Sequence, residues 1–247
     1  GMSLEAGSRV YRNNRGKALM LAVIGEKSLA EGCVIAGAHV DAPRIDLKQN
    51  PLYESDELAF FKTHYYGGIK KYQWTTIPLA LHGTISKADG TTVDICIGED
   101  ENDPVFYIND LLPHLAGDQM RKSLSEGISG EQLNLLSGSR TFGKDVSEGV
   151  KLNILSILNE KYGITEADFL SAELCGVPAY KARDIGLDRS MIGSYGHDDR
   201  VCAYPSLTAV MAVKAPKHTI MTILADKEEI GSEGNTGMQC AVYFDII

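Results

Sequence analysis

Apolar positions fall into two regimes along this chain. In its first and last stretches they form short unbroken runs: "KALMLAVIG" (residues 17–25), "CVIAGA" (33–38) and "HTIMTILA" (218–225). Nearly all-apolar runs of this length predict strands of a sheet covered on both faces, with "EKSLAEG" as the turn between the first two. From about residue 51 to 178 the pattern switches to alternation, as in "TTIPLALHGTIS" and "TTVDICIG", punctuated by Gly and Asp. That pattern predicts short antiparallel strands, with "ADG" (88–90) at a hairpin turn. "EDENDP" (99–104) reads as an acidic loop, and the Gly/Ser-rich stretch 125–149 as a mobile loop. Two segments have helical character. "VKLNILSILNEKYG" (150–163) repeats its apolar residues at helical spacing and stops on Gly, and "RVCAYPSLTAVMAV" (200–213) carries Pro205, read as lying in the first turn. The fold class is therefore α/β. A mixed-sheet domain in two parts, 1–50 and 181–247, is interrupted by a β-rich insert, 51–180.

Composition narrows the possibilities. With 247 residues, 44% hydrophobic and 23% charged, the chain can bury a core. A formal net charge of −9 with no long basic run argues against nucleic acid as a partner; the densest basic patch, "YRNNRGK", is short. No apolar run approaches the ~20 residues that span a bilayer, so no membrane partner is expected. Five cysteines at irregular spacing, without a CxxC, read as reduced, mostly buried thiols of a cytoplasmic protein. "GMSL" reads as an expression scar and is set aside.

Three polar clusters carry the candidate chemistry: His39-Val40-Asp41 after one apolar strand, "HDDR" (197–200) before a helix, and "DKEEIGS" (226–232) after another apolar strand. In open α/β sheets, ligands bind beyond the carboxyl ends of strands, where two of the three fall. Imidazole and carboxylate donors without thiolate suit Zn, Mn or Co at a hydrolytic site rather than a structural zinc knot. His39, Asp198 and Glu229 can serve as ligands, with Glu228 as base and Asp41 holding the His39 ring through its second nitrogen. Each cluster also has a plain structural meaning: a satisfied polar turn, a helix N-cap, a solvated charged turn. Pattern alone leaves the two readings balanced.

Together, "GAHVDAPRIDLKQNPLYE", "LLPHLA", "GHDDRVCAYPSL" and "DKEEIGSEG", in that order, resemble the aspartyl aminopeptidase family of co-catalytic metallopeptidases over residues 9–244. The resemblance implies a zinc-aminopeptidase-like catalytic domain interrupted by a dimerisation domain. It also implies two divalent metal ions, zinc with Mn or Co as alternatives, a peptide substrate cut after its N-terminal residue, and a homo-oligomer built from dimers. By the same resemblance His39 is a terminal metal ligand, Asp41 orients it, Asp198 bridges the metals, Glu228 is the general base and Glu229 is a terminal ligand. His114 of "LLPHLA" would reach a neighbouring subunit's active site. The family carries two further ligands, an Asp and a His, in its C-terminal part, so the sequence reads as an internal fragment of an aminopeptidase. His218 starts a strand at the end away from the site and is not a candidate. Two alternatives stand beside this reading: a related dinuclear-metal carboxypeptidase or deacylase, and a non-catalytic oligomerisation module. Arg44 and Arg200 adjoin the motifs, and either can meet an acidic substrate side chain or pair with a local carboxylate.

Overall fold

The computed structural model describes residues 4–243; the first three residues of "GMSL" and residues 244–247 lie outside the described residues. In chain order the strands are β1 (Arg9–Asn14), β2 (Ala18–Val23), β3 (Val34–His39), β4 (Arg44–Ser55), β5 (Leu58–Tyr66), β6 (Leu79–Ser86), β7 (Thr92–Ile97) and β8 (Leu135–Gly138). Helix α1 (Gly149–Tyr162) follows, then β9 (Ala172–Pro178), β10 (Arg183–Ile185), β11 (Met191–Gly193), helix α2 (His197–Ala212) and β12 (Ile220–Ala225). The fold is mixed α/β and mostly sheet. It divides into a split unit, Gly1–Pro43 with Ser194–Ile247, and an inserted unit, Arg44–Gly193. The sequence reading divides the chain after residues 50 and 180. Strand β4 crosses the first of those points, and the β10–β11 hairpin extends the inserted unit past the second.

In the split unit the strands run β1-β2-β12-β3. β2 is antiparallel to β1 and β12, whereas β3 is parallel to β12. "YRNNRGK", read as a basic patch, is the end of β1 and the three-residue turn, 15–17, of its hairpin with β2. Arg15 and Gly16 both take positive φ, 58° and 72°, as the tight turn matched to strand twist requires. Ala18, Met20 and Ile223 pack with Tyr243 to form a small core, and α2 lies against the sheet. Among the described residues β3 has a sheet partner on one side only, and its Val34 and Ile35 are 56% and 46% exposed, not covered on both faces as their apolar run predicts. Pro205 lies well inside α2 rather than in its first turn.

The inserted unit is a six-stranded antiparallel sheet, β7-β6-β9-β4-β5-β8. Its core centres on Phe61, 1% exposed, with Phe106 and Phe169 at ring-centroid distances of 6.2 and 5.9 Å. The "ADG" hairpin forms as predicted: Lys87 N–H donates to Thr91 O at 2.8 Å and β6 pairs with β7. Residues 125–149 are more ordered than a mobile loop. They hold a 3-10 turn, Gly130–Gln132, and β8, pinned by fully buried Leu133 and Leu135. α1 ends on left-handed Gly163, as its sequence signals, but its first amides are capped from afar: Glu54 Oε2 accepts from Val150 N–H at 2.9 Å and Lys151 N–H at 3.0 Å. All five cysteines are free, and none is fully buried; Cys96 and Cys202 are exposed. Cys96 lies on the edge strand β7 and Cys202 on α2, positions that override the tendency of thiols to be buried. Among the described residues no helix is long and apolar enough to cross a membrane.

Candidate metal centre

The site lies wholly in the split unit and draws on three separate stretches of chain. β3 ends on His39, and two residues later the chain supplies Asp41. The start of α2 supplies Asp198 and Asp199. The 3-10 turn after β12, Glu228–Ile230, supplies the glutamates. The first residues of α2 are not helical: Asp198 sits at φ −83°, ψ 107° and Asp199 at φ −120°, ψ 37°, joined by a cis peptide. Asp198 is therefore aimed by an extended backbone rather than by a helix face. Its partner strands, parallel β3 and β12, deliver their carboxyl ends side by side, with Ala225 opposite His39.

His39, Asp198 and Glu229 offer ligand atoms that all lie within 4.8 Å of one another. The His39 ring meets acceptors at both nitrogens. Nδ1 is 2.9 Å from the Asp41 carbonyl oxygen and 3.2 Å from Asp41 Oδ1; Nε2 is 2.9 Å from Asp198 Oδ1 and 3.8 Å from Glu228 Oε2. A neutral imidazole has one N–H, so the second nitrogen needs a proton or a cation. Burial opposes the charged ring, but the bonds to Asp198 and Asp41 outweigh it and raise the pKa above its usual 6.5. Glu229 is pushed up as well, first by burial and then by the carboxylates of Asp198, Asp41 and Glu228. With Nδ1–H turned to Asp41, a divalent cation at Nε2 would satisfy the ring and relieve the crowded carboxylates at once. The residues present fit a metal ion on this chemistry.

Asp41 does more than orient the ring. Its side chain is fully buried, and Oδ1 and Oδ2 accept from the backbone N–H groups of Glu228 and Glu229 at 3.1 and 3.2 Å. One carboxylate thus ties the end of β3 to the turn after β12. Two contacts escape the sequence reading. Asp199 accepts from His39 N–H at 3.3 Å, and a hydrogen bond from the Cys202 thiol holds its carboxyl below the ordinary range. Arg200 Nη1 donates to Val40 O at 2.6 Å. Both residues stand in the quoted "HDDR", so the signal was the motif itself, but their partners are about 160 residues away. An apolar cleft of about 280 Å³ adjoins the site, lined by Ile35, Ala38, Ile223 and Met238 with His39 and Glu228 on its rim.

Other candidates lie elsewhere. His114 is exposed on a turn of the inserted unit and does not belong to this cluster. Arg44, also in the inserted unit, is bound locally: Nε donates to Asp46 at 2.7 Å and the guanidinium stacks 3.7 Å from the Tyr66 ring centroid. His218 lies just ahead of β12, with Nδ1 at 3.3 Å from Gly32 O, at the opposite end of that strand from the glutamates.

The geometry has counterparts among known proteins. The family described as "Aminopeptidase I zinc metalloprotease (M18)" matches residues 2–246. A relative from Clostridium acetobutylicum, named "Probable M18 family aminopeptidase 1", is 59% identical over 241 residues, covering 97% of this chain and 52% of the relative. A crystal structure of the M18-family aminopeptidase from Thermotoga maritima superposes with a TM-score of 0.93 at 48% identity, over 98% of this chain and 53% of that one. The structure of aminopeptidase I from Clostridium acetobutylicum gives a TM-score of 0.92 at 54% identity, over 98% and 53%. The chain spans about half the length of these relatives. A converging His/Asp/Glu donor set on this fold, matched end to end by one family, leads to one conclusion: the chain belongs to the M18 peptidases, the aminopeptidase I zinc metalloproteases.

Proposed function

We propose that the protein to which this chain contributes is a metal-dependent aminopeptidase that releases the N-terminal residue of a peptide. The observation that carries the reading is the convergence of His39, Asp198 and Glu229 from three chain segments, in a member of this family. His39, Asp198 and Glu229 would hold the metal, with zinc the leading ion of two and Mn or Co accepting the same donors. Bound there, the metal supplies Lewis-acid polarisation of the scissile carbonyl and acidifies a water. Asp41 holds His39 with Nε2 free to ligate and keeps both glutamates at their height. Glu228, with its side chain 58% exposed beside His39, takes the proton of the attacking water and hands it to the leaving amine. In the same proposal the protein works as a homo-oligomer built from dimers. Exposed Leu111, Leu112 and Leu115 around His114 support a subunit contact there.

Metal content per chain, measured by elemental analysis on wild type and His39→Ala alongside peptide hydrolysis, tests the reading. Metal near stoichiometric in wild type and lost in the variant supports it; no metal in wild type overturns it for this chain.

A further inference from the structure

The turn that carries Glu228 and Glu229 is strained and needs anchoring. Lys227 and Gly231, on either side of it, are both left-handed, at φ 66° and 89°, and Ser232 follows at φ 62°. The turn closes on itself through Ser232 N–H to Lys227 O at 2.7 Å. Asp41 caps its amides from one side. On the other side, Asp226 and Thr236 form a buried pair at the base of the loop. Thr236 Oγ1–H donates to Asp226 Oδ2 at 2.5 Å; the two residues are 1% and 7% exposed. Asp226 also makes a parallel bridge to Gly237, where a Cβ would come within 2.2 Å of Ser232 O. Tyr243 O–H donates to Thr236 O at 2.7 Å, and Asn14 Nδ2 donates to Asn235 O at 3.1 Å, so the far end of the loop is stitched to the sheet.

We propose that Asp226 and Thr236 are positioning residues: their bond sets where the glutamate turn stands relative to His39 and Asp198, without touching substrate or metal. The proposal rests on the metal-site reading above for its functional meaning, but the positioning itself is measurable on the metal-free chain. Stability alone does not call for this pair, because a buried carboxylate and hydroxyl are costly to desolvate and an apolar pair would fill the space. What the pair adds is a fixed distance and direction at the root of a turn whose two side chains must meet donors from other segments.

The test uses Thr236→Val, which keeps the shape and removes the donor, Thr236→Ser, which restores the donor, and Asp226→Asn as an independent variant. Amide hydrogen exchange on the metal-free 247-residue chain reads the positioning. The expected result is exchange at Glu228 and Glu229 faster by about tenfold in Thr236→Val and Asp226→Asn, with the β12 amides of Thr222 and Leu224 nearly unchanged and Thr236→Ser close to wild type. Titration with Co(II) is expected to show affinity lower by about 10–100-fold and an altered visible spectrum in Thr236→Val, rescued by Thr236→Ser. Unchanged exchange at the two glutamates, or equal acceleration through β12, would overturn the proposal by showing no role or a merely structural one. If wild type takes up no Co(II), the metal reading fails and the exchange data still decide the positioning.

Discussion

The two units of the chain, one built on a four-stranded sheet and the other on a six-stranded one, solve different problems. The inserted unit closes on itself: Ile45, Phe61, Leu79, Leu81, Ile108, Leu133 and Leu135 are all at most 2% exposed. Both units leave apolar side chains exposed, Val34, Ile35, Val201, Tyr204 and Met211 in the split unit and Leu111, Leu112 and Leu115 in the inserted one, but the split unit also buries the hydrogen-bonded polar residues Asp41, Thr219, Asp226 and Thr236. Polar groups in a core cost free energy unless each has a partner, and they repay it by fixing geometry. The unit with the candidate chemistry is therefore the one whose interior is spent on polar ties, and the unit without it is packed for stability.

That contrast can be broken, and the largest lever is Phe61. Phe61→Ala should destabilise the inserted unit by about 3–5 kcal/mol, since the cavity is walled by two other rings. The single tryptophan, Trp74, is buried in this unit, so denaturant unfolding followed by its fluorescence reports it directly. A loss below about 1 kcal/mol would mean that the core is not the tight one described.

In the split unit the corresponding lever is Asp41. Asp41→Asn puts an amide N–H where one of the Glu228 or Glu229 amides donates and weakens the hold on His39. Metal affinity should fall by about 10–100-fold, measured by competition with a chelator, with little change in Trp74 fluorescence. Wild-type affinity in this variant would show that the tie is dispensable.

Thr222 sharpens the contrast in the opposite direction. It is fully buried on β12, and among the described residues its hydroxyl has no hydrogen-bond partner. Thr222→Val should stabilise the split unit by about 1 kcal/mol, read as slower exchange of β12 amides, because an unpaired hydroxyl is traded for a methyl of similar size. Destabilisation would mean that the hydroxyl has a partner in solution.

The smallest effect is alkaline. In the inserted unit the bond to Glu166 raises the Lys151 pKa above its ordinary 10.5, with Nζ 2.8 Å from Oε1. A raised lysine pKa stabilises the fold fully below the unfolded value and less as pH climbs through the folded one. Stability should therefore decline above about pH 10.5 by up to ~1 kcal/mol, and Glu166→Gln should remove that part of the slope. Identical pH profiles for the two proteins would show that the pair contributes nothing.

The legible parts of the fold were those with local causes. Strands β2, β3 and β12 follow from unbroken apolar runs, α1 from its spacing and terminal Gly, and the β6–β7 hairpin from its turn residues. β1 was hidden because "RVYRNN" is polar on both sides; its pairing with β2, not its composition, makes it a strand. β8 was hidden inside a Gly/Ser-rich stretch because two buried leucines outweigh the turn formers around them. In the site, His39, Asp198 and Glu229 were marked by residue type and by their places at strand and helix ends, whereas the bonds of Asp199 and Arg200 to the β3 end join groups with no local relation.

By itself the sequence determined the apolar strands β2, β3 and β12, helix α1, the β6–β7 hairpin, and which acidic and imidazole groups sit at strand ends. These follow from side-chain size, hydration and backbone preference over a few residues. Only the tertiary structure decided that β12 stands between β2 and β3, that Asp41 grips the backbone of the glutamate turn, and that Asp226 and Thr236 pair beneath it. Those are unions of groups far apart in the chain, and their energy exists only once the sheet has brought the segments within hydrogen-bond distance.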